Sequence, residues 1–344
     1  MPSLLDRFRA TGADLPWGDP LPAHGVATEG YFWKFTQPET GRILSAAIGV
    51  NQSPEGPWST VIIAAHPSGF IRSAVHPDGF ADPQKFGASA GALFTGEADR
   101  VVADLGPDAR LDVRIVDPLP WPKRAFGGTS FFQSIPGLGH RWHPWLLGGR
   151  VVGTATIGNE QWNLDGAQVY GEKRWGSAHF PERWWSGSAQ GFAEPGACVT
   201  FAGAKVISGR LSVETTLVSV RLPDGTVLRF GGPSTSHIRA TVTPEKWSLH
   251  GRNPRSGIEI EAASPLDTAF VVPVPVPEER RNAPAAILHP LGRLNVTVRR
   301  RADIAWQGES TLATLEYGGF ADARAELQRR GLDPESETAP PQAN

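Results

Sequence analysis

Residues 170–185 read YGEKRWGSAHFPERWW, which places three tryptophans, two carboxylates and a Phe-Pro corner within sixteen positions. Indole is bulky, and its N–H needs an acceptor when buried. A carboxyl group desolvated among indoles keeps its proton toward neutral pH, as a general acid requires. Indole faces also stabilise positive charge without attacking it. This combination suits proton-initiated chemistry on an apolar substrate that passes through a cation. On a strand over Gln168–Lys173, Tyr170 and Glu172 share one face and Gly171 and Lys173 the other. Glu172 is thus the leading proton donor, with Asp165 of the Leu164-Asp165-Gly166 run as the second candidate. The plainer readings stay open: Glu172 pairs with Arg174, Arg183 or Lys34 and closes the fold, and Asp165 serves as an ordinary Asp-Gly turn residue.

Two further stretches carry related chemistry. In Glu29-Gly30-Tyr31-Phe32-Trp33-Lys34-Phe35, alternation puts Glu29, Tyr31 and Trp33 on one face. That face is either a pocket wall with a carboxylate or a core strand whose Glu29 is solvated or paired to a cation. In Gly139-His140-Arg141-Trp142-His143-Pro144-Trp145 two histidines lie three apart. That spacing alone does not make a metal site, which needs further ligands. His143 is expected to orient or deprotonate a substrate hydroxyl, with Trp142 beside it in the wall.

Gly87-Ala88-Ser89-Ala90-Gly91 matches the pattern of a nucleophilic serine elbow, but Asp82-Pro83-Gln84-Lys85 precedes it where an apolar strand is required. Glycine-rich dinucleotide and phosphate loops are absent, as are aspartate-rich magnesium motifs. The reading expects no cofactor and no metal.

Together these stretches resemble the tocopherol cyclase family. The likeness runs in order through Glu29–Trp33, Gly127-Gly128, Pro136-Gly137-Leu138, Trp142-His143-Pro144, Leu164-Asp165-Gly166, Tyr170 with Glu172-Lys173, Trp175-Gly176, Phe180-Pro181, Trp184-Trp185 and Leu312–Gly319. It covers about residues 25–320. The resemblance implies two lipocalin-like β domains, a deep apolar pocket, and closure of a chroman ring by protonating an alkene and trapping the cation with a phenol oxygen. More distant similarity to carotenoid hydratases and lipocalin-like Diels–Alderases keeps alkene hydration, pericyclic closure and simple ligand carriage open. Within this frame Trp33, Trp175, Trp184 and Trp185 line the cation's path, and Glu29, Tyr31, Trp142 and Tyr170 complete the substrate wall. Three positions depart from the family pattern: Arg174 for Asn, Ser186 for a third aromatic, and His140-Arg141 for Gln-Tyr.

The elements that must position these groups read as strands. Gly and Pro recur from Gly12 to Pro290, leaving short runs rich in Val, Ile, Thr and aromatics, such as Gly30–Thr36, Thr60–Ala65 and Val199–Val206. Pro223-Asp224-Gly225 between Val218–Leu222 and Thr226–Phe230 marks a hairpin. The fold class is all-β, two barrels or sandwiches with a short C-terminal helix over 321–333. The expected division is an N-terminal extension (1–24), a Trp-rich β domain (25–190), a plainer β domain (191–320), the helix, and a disordered tail (334–344). Ten of the twelve tryptophans fall at or before Trp185.

Bulk composition narrows the partners. A net charge of −2 offers no broad basic field for nucleic acid. The single cysteine, Cys198, excludes an internal disulfide and fits a reducing, cytoplasmic setting. No window has the length of a membrane span. Peripheral lipid contact stays open, the expected partner is an apolar small molecule, and oligomeric state is not legible.

Overall fold

The computed structural model describes residues 1–3, 6, 26–83, 85–122, 128, 139–208, 211–231, 237–301 and 303–342. Most of the N-terminal extension, Gly127 and Pro136-Gly137-Leu138 lie outside them. The described chain is all-β with a short C-terminal helix, and its strands form two antiparallel sheets. It divides into two units. The first holds 1–37, 44–180 and 274–282, and the second holds 38–43, 181–273 and 283–344.

In the first unit the sheet runs Phe70–His76, Gly56–His66, Arg42–Ser53, Thr28–Gln37, Gln168–Gly176, Arg150–Ile157 and Ala109–Val116, then on through shorter hairpin strands. His140–Leu146 adds to the Gln168–Gly176 strand as well. Alternation drives this layout. Ala109–Val116 buries every second residue, and its Leu111, Val113 and Ile115 join a core with Trp33, Phe94 and Trp162. Ser89 falls within Gly87–Ala90, which pairs with Phe94–Glu97, so the serine-elbow pattern is hairpin strand rather than a strand-to-helix turn. A distant segment completes the unit. Arg280, in the left-handed region at φ 52°, donates to Ser53 Oγ and the Gly56 and Pro77 carbonyls, and Trp58 Nε1 donates to the Pro277 carbonyl.

In the second unit the order is Val227–Phe230, Leu211–Arg221, Cys198–Ser208, Arg183–Ala189, Asp303–Gly318, Arg281–Arg300, Ser256–Ala263, Lys246–Arg252 and His237–Thr243. The expected hairpin forms, with Val218 opposite Phe230 and Arg221 opposite Val227. Its core gathers Trp185, Phe201, Trp247 and Leu315. The helix spans Phe320–Arg329 and ends on Gly331 at φ 72°. Gly331 N–H bonds the Gln328 carbonyl and Leu332 N–H the Leu327 carbonyl, the paired closure that a left-handed glycine permits. Ala339 exchanges two backbone hydrogen bonds with Val271 and is buried with Ala323 and Leu327.

One core histidine in this unit sets an acid limit. His289 is fully buried, and its Nε2–H donates to the Pro244 carbonyl at 2.8 Å. Burial lowers its pKa from 6.5 to about 4, and the Pro244 bond offsets this only partly. Between those values the unfolded chain binds the extra proton, so the contribution is intact above about pH 6.5 and is lost as pH falls toward 4. At 1.36 kcal/mol per unit the loss is about 3 kcal/mol. Urea melts of wild type and His289→Gln should show the stability gap between them closing from pH 7 to pH 4.5. A gap independent of pH would remove His289 as the cause.

Candidate active site

The candidate residues of the first unit all sit on or beside the Gln168–Gly176 strand. Antiparallel pairing places Glu29 opposite Trp175, Tyr31 opposite Lys173, and Trp33 opposite Gly171. On its other edge His143 lies opposite Lys173 and Trp142 opposite Arg174. Directly opposed residues share a face, and successive residues alternate. The sheet therefore separates two constellations. Glu29, Tyr31, Trp33, Lys173, Trp175 and His143 occupy one face. Phe32, Trp142, Tyr170, Glu172 and Arg174 occupy the other.

The first face is built around a buried ion pair. Lys173 Nζ lies 2.8 Å from Glu29 Oε2, with the two side chains 0% and 5% exposed. Tyr31 donates its hydroxyl to the same carboxylate oxygen at 3.2 Å. The ammonium also lies over the rings of Tyr31 (4.7 Å) and Trp175 (5.5 Å). The π faces that the sequence offers to a substrate cation here hold the protein's own cation. Burial pushes the Lys173 ammonium below the ordinary lysine range despite Glu29, and burial with the Glu29 charge pushes the Tyr31 phenol well up. Trp33 continues this face into the core, where Trp145 stands at 6.5 Å, T-shaped. Gly171 makes room for Trp145, since a Cβ there would fall 2.7–3.1 Å from the indole. Pro144 occupies a register shift between His143 and Leu146, where no ladder N–H is needed.

His143 is fully buried, edge-on to Trp121 at 5.3 Å. Its Nδ1 accepts the Gly128 N–H at 2.9 Å, which leaves the ring proton on Nε2. In this tautomer the imidazole can donate to a hydroxyl, while its one ring lone pair, on Nδ1, is taken by the Gly128 N–H. His143 also shares a face with Lys173, away from Glu172. His140, three residues earlier, points the opposite way by alternation and contacts the His179 carbonyl.

The second face centres on Glu172, buried at 5% exposure. Oε2 accepts the Tyr170 hydroxyl at 2.7 Å and the Trp142 indole N–H at 2.8 Å. Oε1 accepts Arg174 Nε at 2.7 Å and Nη2 at 2.6 Å. The Arg174 guanidinium in turn lies 5.0 Å over the Phe32 ring. Indole and guanidinium only donate, whereas a phenol both donates and accepts. The Tyr170 contact is therefore the one of these that can reverse and receive an O–H from Glu172.

Asp165 is exposed, and its Oδ1 accepts the Gly153 N–H at 2.8 Å, as a turn residue does. Trp184 and Trp185 belong to the second unit. Trp185 donates to Thr216 Oγ1 at 3.1 Å within the core, and Trp184 donates to Glu316 Oε1 at 2.8 Å while covering Gly318. Among the described residues no cluster of three or more histidine, cysteine or carboxylate groups is placed to hold a metal. No helix in them is long and apolar enough to cross a membrane.

A family model described as tocopherol cyclase-like matches residues 129–319, more than half of the chain. The chain belongs to the tocopherol cyclase-like family. The match takes in Trp142, Tyr170, Glu172 and Arg174 and most of the second unit. Among solved structures, kievitone hydratase from Nectria haematococca aligns with 89% of this chain and 92% of its own at 11% identity, with a TM-score of 0.52. CghA solved with Sch210972 aligns over 86% of this chain and 89% of its own at 11% identity, with a TM-score of 0.57. At such identity the likeness is one of fold. No curated protein matches the sequence.

Proposed function

We propose that the protein is an enzyme of the cyclase or hydratase kind that acts, without a cofactor, on an apolar prenylated aromatic or polyene. Glu172 delivers a proton to a trisubstituted alkene and leaves a tertiary cation. A hydroxyl of the same substrate attacks that cation, forming the C–O bond of a ring. The hydroxyl proton returns to Glu172, so product and substrate are isomers. Tyr170 accepts the Glu172 O–H in the loaded state, and Trp142 holds the oxygen in place. Phe32 and Trp142 offer ring faces on that side of the sheet, and the dry setting keeps water from trapping the cation. Asp165 and His143 have no proton-transfer role in this scheme.

One observation carries the reading: a buried carboxylate in a tocopherol cyclase-like chain whose oxygen is shared by an indole and a reversible phenol. Incubation with prenylated hydroquinones tests it. A cyclised product of unchanged mass is the expected result. A product heavier by one water makes the enzyme a hydratase, and stoichiometric return of unaltered ligand makes the protein a carrier and overturns catalysis.

A further inference from the structure

The second unit carries a basic groove of about 1190 Å³ on the solvent side of its sheet, lined by the Lys246–Arg252 and Ser256–Ala263 strands and their neighbours. Register defines its main row. His237 pairs with Arg252, Arg252 with Gly257, Gly257 with Arg299, and Arg299 with Ile304, so these five residues cross the sheet on one face. Gly257 leaves the floor open between two arginines: a Cβ there would meet only ordinary contacts, 3.7 Å and beyond. The turns at the rim add Arg255 and Arg301, which are joined by an Arg301 N–H bond to the Arg255 carbonyl.

This charge is largely uncompensated. Arg299 faces Glu259 at 3.8 Å, and His250 in the next row faces Glu261 at 3.2 Å. Arg252, Arg255 and Arg301 are exposed, and among the described residues no carboxylate lies within ion-pair distance of them. The chain as a whole carries −2, so the patch is a local reversal of sign. At its end stands Ile304, 51% exposed. A register shift between Val298 and Arg299 turns Ile304 outward, whereas Trp306, two residues on, stays in the core. Bulges re-aim side chains in this way.

We propose that this face is a docking surface for an anionic lipid bilayer, with the arginines on headgroup phosphates and carboxylates and Ile304 entering the interface. Arginine clusters beside a bilayer draw on its negative surface potential, and an apolar side chain adds a contribution that salt does not screen. The exposed isoleucine in the same row as the arginines favours a bilayer over a soluble anion. The surface is independent of the reaction proposed for Glu172, and binding is read with no substrate present.

Flotation of the full chain with vesicles of phosphatidylcholine alone, or mixed with phosphatidylserine, tests the proposal. Binding only to the mixed vesicles, weakening as salt rises, is expected. Each arginine removed should weaken it about fivefold, and Arg252→Gln/Arg255→Gln/Arg301→Gln together on the order of a hundredfold, with thermal unfolding unchanged. Ile304→Ser should remove the part that survives high salt. Failure to float with anionic vesicles overturns the proposal, as does equal binding by the triple variant. Full displacement by inorganic phosphate at matched ionic strength, or binding to an oligonucleotide in place of vesicles, overturns it in favour of another anion.

Discussion

Glu172→Gln lowers turnover by about 10²- to 10⁴-fold, the usual contribution of a positioned general acid, while the protein stays folded. Gln keeps the volume of Glu but carries one oxygen and one NH₂. Turned one way, its oxygen still accepts Trp142 and Tyr170 while its NH₂ meets the Arg174 donors. Turned the other way, the conflict moves to Trp142 alone, because the Tyr170 hydroxyl can turn to accept the NH₂. Facing donors cost about 1–3 kcal/mol, so a modest fall in melting temperature accompanies the loss. Single-turnover rates and thermal melts on the same samples separate the two effects. Turnover near the wild-type rate would take Glu172 out of the chemistry.

Removing either partner of the Glu29–Lys173 pair destabilises the first unit by about 3–5 kcal/mol, because the survivor is left charged and buried. Lys173→Met strands the Glu29 carboxylate with only the Tyr31 hydroxyl among these contacts. Glu29→Gln strands the ammonium against two aromatic rings. The double variant Glu29→Gln/Lys173→Met removes both charges and recovers most of the loss. For a unit of this size each kcal/mol moves the melting temperature by about 2–4 °C, so single variants fall by roughly 6–20 °C. A double-mutant cycle by urea denaturation measures the coupling. Additive losses would mean that the pair is not a unit. Turnover in the double variant should follow its stability, since both groups lie on the face away from Glu172.

The fold was legible because its signals are local. Period-two alternation marks Ala109–Val116, and the turn at Pro223-Asp224-Gly225 declares itself through Asp224, whose Oδ1 caps the Thr226 N–H, and Gly225 at φ 82°. Alternation also gave the shared face of Tyr170 and Glu172. What it could not give is which strands adjoin. Glu29 and Lys173 are 144 positions apart, and only the register of their two strands makes them partners. The same register puts Trp33 on the face away from Glu172, and alternation along Glu172's own strand does the same for Trp175, although the family resemblance groups all three in one pocket. Trp184 and Trp185 follow Trp175 closely in sequence, yet the chain enters the second unit at Pro181. Arg174, which departs from the asparagine that the family resemblance leads one to expect, is the residue that ion-pairs Glu172. Trp145 went unselected because its place over Gly171 depends on the strand shift at Pro144.

Carbon-bound deuterium is the most direct witness to proton delivery from Glu172. Wild-type enzyme turning over a prenylated hydroquinone in deuterated water should place one deuterium on the carbon beside the new C–O bond, in a single stereochemical sense, and Glu172→Gln should form labelled product about 10²- to 10⁴-fold more slowly. Cyclised product free of carbon-bound deuterium, or labelled product formed equally fast by the Gln variant, would contradict the account.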